Sequence, residues 1–141
     1  MISPYEIVSK SALPALRAMV ARRLQVDYNM TQQQVAKALG ITQASVSNYT
    51  RRTRGMMVNL ESDLTVAKAA DTIARGLSKK DPDQREALKS MTDVLDYIRL
   101  NYLMCSLHGD LEPGFQVEGC YACDGALSGK SFDRLKVLAG N

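Results

Sequence analysis

Residues 31–52 read TQQQVAKALGITQASVSNYTRR. Thr31 is an N-cap residue, and the apolar side chains that follow, Val35, Ala36 and Leu39, recur at helical spacing until Gly40 interrupts them. A second helical run from about Thr42 to Arg51 places Val46 and Tyr49 inward. The stretch therefore predicts two short helices joined by a tight turn. Ala36 is small where the helices must cross closely, and Gly40 can adopt the positive φ that such a turn needs. The outer face of the second helix carries Thr42, Gln43, Ala44, Ser45, Ser47 and Asn48. That face has little to offer a protein core. It suits base edges well: Gln and Asn can bond bidentately to adenine, Ser and Thr to several bases, and Ala can touch a thymine methyl.

On these residues the stretch resembles the helix-turn-helix of the lambda-repressor-like (XRE) transcriptional regulators. The matching positions are Gln32 opening the first helix, Ala36, Gly40 at the turn, Gln43, and Val46 in the second helix. The earlier run LPALRAMVARRL, residues 13–24, resembles helix one of small archaeal regulators of this group. The likeness extends over roughly residues 4–75, about half the chain. It implies that the second helix lies in the major groove of double-stranded DNA with Gln32 anchored to a phosphate. Gln43, Ala44, Ser47 and Asn48 would then face bases, with Thr42 and Ser45 at the margin. Arg51, Arg52 and Arg54 come directly after and are placed for phosphates.

The charge distribution agrees with a polyanionic partner at the front of the chain. Residues 1–57 hold eight Lys/Arg against two Asp/Glu, and residues 58–141 hold ten against thirteen. The halves thus carry +6 and −3.

Around the central pair the sequence predicts further helices. Ser3, Pro4 and Glu6 form a capping-box pattern, and Pro14 can open a helix whose Leu16, Val20 and Leu24 share a face. A helix over Leu60 to Leu77 is expected to turn Leu60, Leu64, Ala67 and Ala74 inward. Asp81-Pro82 signals the start of the longest helix, roughly Pro82 to Cys105. Along it Leu88, Met91, Leu95, Ile98, Tyr102 and Cys105 alternate steps of three and four. Such a heptad seam either packs on its own domain or pairs two subunits, and a homodimer is the expectation here. Residues 108–129 read as irregular, with GFQVEG as a short strand at most, and Ser131 to Ala139 as a closing helix.

All three cysteines and the single histidine fall within residues 105–123, CSLHGDLEPGFQVEGCYAC. Cys105-x2-His108 and Cys120-x2-Cys123 are two ligand pairs, each able to close on one metal from a single turn. Four ligands of the Cys₃His type would complete tetrahedral Zn²⁺ as a closed, structural site. The rival is an iron–sulfur cluster on Cys105, Cys120 and Cys123, which would sense redox state.

These readings place the chain in the all-α class. A DNA-binding domain spans residues 1–77, a long dimerisation helix 78–105, and a metal-bound, loop-rich appendage 105–141. No eighteen-residue apolar run offers a membrane span, and an odd cysteine count speaks against a secreted disulfide framework. A cytoplasmic protein is expected. Neither a glycine-rich phosphate loop nor a paired-carboxylate pocket suggests an enzyme. An RNA-binding or protein-interaction module is the alternative of a different kind, and it lacks exposed aromatic residues for stacking on single-stranded bases.

Overall fold

A computed structural model describes residues 1–50, 59–124 and 139 of the chain. The architecture is all-helical, with no strand among the described residues. Helix α1 (Pro4–Ile7) begins with the predicted capping box: Tyr5 N donates to the Ser3 hydroxyl, and Ser3 N to the Glu6 carboxylate. A π-helical turn (Val8–Ala12) runs straight into α2 (Leu13–Tyr28), with Pro14 in its first turn, where a missing N–H costs nothing. Leu16, Val20 and Leu24 are fully buried, so the face expected of this helix is the face it uses. Each such burial is worth about 1.5–3 kcal/mol.

Helix α3 (Gln32–Leu39) and helix α4 (Gln43–Thr50) form the predicted pair. Thr31 and Gln34 complete a second capping box, and Gly40 ends α3 with φ of 65°. Ile41 N reaches back to the Ala36 carbonyl, which closes the turn in a Schellman arrangement. Val35, Ala36, Val46 and Tyr49 are buried against α2.

Later elements depart from expectation at their starts. Helix α5 (Leu64–Leu77) is capped by Asp63, whose carboxylate accepts from Val66 N. With that start the buried stripe is Val66, Ala70, Ile73, Ala74 and Leu77. Leu64, expected inward, is 67% exposed, and Ala67 is only half-buried, whereas Leu60 is buried just ahead of the helix. Helix α6 (Gln84–Leu100) is capped by Asp83 rather than Asp81, because its carboxylate reaches Arg85 N and Glu86 N. Pro82 therefore precedes the cap instead of opening the helix.

Helix α6 also stops earlier than the seam suggests. Tyr102 adopts φ of 58°, Leu103 N bonds back to the Ile98 carbonyl, and a separate helix α7 (Cys105–Leu111) comes next. Residues 108–111, expected to be irregular, are thus helical, and the GFQVEG segment forms turns and no strand. Met91, Val94 and Ile98 are buried in one cluster with α2 and α5, and that cluster extends from Ile7 to Met104. The seam is largely spent on the chain's own core; Leu88, at 67%, and Tyr102 remain exposed. Cys105 belongs to α7 and does not end the seam. The expected closing helix at 131–139 lies outside the described residues save Ala139. No helix among the described residues is long and apolar enough to cross a membrane.

Candidate nucleic-acid interface and thiol cavity

On α4 the polar face is set by which side chains the core takes. Val46 and Tyr49 turn inward, so Thr42, Gln43 and Ala44 stand exposed, and Ser45, Ser47 and Asn48 are half-buried beside them. Thr42 caps the helix: Ser45 N donates to its hydroxyl, and the Thr42 and Ser45 hydroxyls lie 2.9 Å apart. These two are engaged with each other. Gln32 is half-buried in the first turn of α3. Arg51, Arg52 and Arg54 lie outside the described residues.

Two arginines of the basic front half are already occupied. Arg23 grips the Glu61 carboxylate with both terminal nitrogens, at 2.7 and 2.9 Å, and its Nε donates to Asp71. Arg22 lies 3.7 Å from the same Glu61. The Glu61 carboxyl is held below the usual carboxylate range, chiefly by its bond to Arg23, and the Arg23 guanidinium is raised in return. Through Asp71, Arg23 braces α2 against α5, with Arg22 beside it. A second brace ties the paired helices to α6, where Gln84 donates to the Lys37 and Ala38 carbonyls at 3.2 and 3.3 Å. Neither brace announces itself in sequence, because its partners lie 38 to 48 residues apart.

Beyond α6 three of the four predicted ligand residues border one cavity near the start of the chain, whereas Cys120 lines a separate one with Phe115 and Tyr121. Cys105, His108 and Cys123 line one small cavity of about 20 Å³ together with Ile7, Arg99 and Tyr102. The Tyr102 hydroxyl donates to Asp124, which draws the end of the loop over the α6–α7 break. Burial pushes the Cys105 thiol up, and so do the neighbouring Cys123 and Cys120. All three cysteines are unpaired and half-buried. His108 stacks on Phe115 with ring centroids 4.4 Å apart, and its Nε2 lies 3.0 Å from Glu112. Glu112 also accepts from Ile2 N at 3.0 Å; that bond first, with His108 and the Met1 amine, lowers its carboxyl to about 2.

In kind this donor set fits zinc: three sulfurs and an imidazole whose Nε2 already has a carboxylate partner, the usual support of a metal-bound histidine. In position the four are not brought together. Among the described residues no three His, Cys, Asp or Glu side chains converge closely enough to hold an ion.

Residues 20–55 match a helix-turn-helix family model, HTH_3. The matched span covers the end of α2, all of α3 and α4, and the arginines just after them, and it supports a DNA-binding transcriptional regulator. No curated protein and no solved structure matches the chain.

Proposed function

We propose that this protein is a sequence-specific transcriptional regulator that lays α4 in the major groove of DNA. The observation that carries the reading is the exposed polar face of Thr42, Gln43 and Ala44 within a segment that matches a helix-turn-helix family. Gln43, Ala44, Ser47 and Asn48 read base edges, Gln32 holds a phosphate, and Arg51, Arg52 and Arg54 supply further phosphate contacts. The protein acts as a homodimer that pairs two such helices. Because Met91 and Ile98 are committed to the core, the second copy meets what α6 leaves uncovered, Leu88 above all.

Selection of bound duplexes from a random pool tests this. Sites should emerge as two half-sites about one helical turn, roughly 34 Å, apart. Gln43→Ala should cost roughly 1–3 kcal/mol and relax preference at one base position, whereas Arg52→Ala should weaken all sequences alike and flatten the salt dependence. A Gln43→Ala variant with unchanged preference refutes the placement of α4, and single unpaired half-sites refute the dimer.

The appendage is read as a structural zinc site on Cys105, His108, Cys120 and Cys123. Its support is the cavity that Cys105, His108 and Cys123 share and the Cys-x2-Cys spacing that ties Cys120 to Cys123. Zinc there substitutes for a core in a segment with few large apolar side chains.

A further inference from the structure

Between α2, the end of α3 and α6 lies a groove of about 350 Å³, within the roughly 300–1,000 Å³ that small-molecule sites span. Its walls are apolar: Leu77 and Met91 are buried, Leu13, Leu39 and Leu95 are half-buried, and Leu88 stands exposed. The neutral polar side chains there have spent their donors. Gln84 gives its amide nitrogen to the Lys37 and Ala38 carbonyls, and Thr92 its hydroxyl to the Leu88 carbonyl. Among the described residues Arg17 is the one charged side chain lining the groove. It is half-buried, and it has no hydrogen-bond or ion-pair partner among the described residues.

Such a lining selects its occupant. An apolar body takes the leucine and methionine side chains out of water, at roughly 25 cal/mol per Å². A guanidinium with no acid beside it receives a carboxylate through two parallel hydrogen bonds, the geometry that suits Arg best. No carboxylate lines the groove among the described residues, so nothing there repels that head or competes for it. A cationic ligand meets the opposite situation. We propose that this groove binds a small amphipathic monocarboxylate, its chain against Leu13, Leu77, Met91 and Leu95 and its head on Arg17. The occupant would also touch Leu39 and Gly40, at the turn between α3 and α4. The assignment stands whether or not α4 binds DNA.

Octanoate tests it, by titration calorimetry on the full chain, with octanol and octylammonium as probes of the same length. Wild-type protein should bind octanoate about tenfold or more tighter than either of the others. Arg17→Met, which keeps the volume of the stem, should lose about tenfold in octanoate affinity and leave octanol binding unchanged. Ala87→Phe, which fills the groove from α6, should abolish octanoate binding. No octanoate bound by wild type at millimolar concentration overturns the site. Unchanged binding by Ala87→Phe overturns it as well, because the ligand then lies elsewhere. Octanoate held no tighter than octanol, or held equally by wild type and Arg17→Met, overturns the role of Arg17 and the carboxylate class with it. The comparison of probes on wild type decides alone if Arg17→Met does not fold. Affinity that falls as protein concentration rises also overturns the proposal, since a second copy then covers the groove.

Discussion

At the scale of single residues, Gly40 shows how sharply one position can be read. Its φ of 65° is the left-handed conformation that the turn between α3 and α4 requires, and a Cβ added there meets nothing within 4 Å. The cost of a side chain is therefore conformational and not steric. Gly40→Ala should lower stability by about 1 kcal/mol, read from denaturant unfolding, with Gly40→Asn costing less. A neutral Gly40→Ala would mean that the turn relaxes into another form. Gly40, Ala36 and Thr31 were legible because each does a local job that only a few residue types can do. Arg99 was not: its place one residue after buried Ile98 is equally consistent with a solvated edge of the helix, and only the approach of Tyr5 from far away in sequence encloses it.

Among elements, starts were harder to read than faces. The apolar faces of α2, α3 and α4 are set by side chains that must be buried, and the structure buries them as spaced. Where two acidic residues compete to cap, spacing cannot choose. Asp81 and Asp83 both precede α6, and only Asp83 accepts the first free N–H groups. Asp83→Ala should therefore cost about 1 kcal/mol, and Asp81→Ala less than about 0.5 kcal/mol, by thermal or urea unfolding. The reverse order would restore Pro82 to the first turn. The same ambiguity extended the seam too far: a three-four spacing continues through Tyr102 and Cys105, but the chain breaks its helix at Tyr102. That break, at the positive φ of Tyr102, puts Cys105 on a separate helix, which periodicity does not encode.

Across the whole molecule, the Arg22–Arg23–Glu61–Asp71 cluster joins the basic half of the chain to the acidic half. Glu61 has its carboxyl depressed in the native state, so the unfolded chain takes up a proton first on acidification. Its contribution is complete above the ordinary carboxylate range and is lost as pH falls through the native value. Glu61→Gln should cost about 1 kcal/mol near neutrality, a modest figure because the pair is part-exposed, and the gap to wild type should close in acid. A gap that persists unchanged in acid, by urea unfolding across a pH series, would remove the ion pair from the account. The basic–acidic division of the chain was legible as a sum, but not the fact that two front arginines are spent on rear carboxylates. Past the expected boundary at residue 77, Met91, Val94 and Ile98 lie in the same buried cluster as α2 and α5. Helix α6 thus seals the core behind the helix-turn-helix as a lid seals a box, and Gln84 latches it to the end of α3. A recognition unit cut at Leu77 would not be a portable cassette. Any graft of this helix-turn-helix onto another protein has to carry α6 with it, and so arrives with Arg99 and one wall of the thiol cavity already attached.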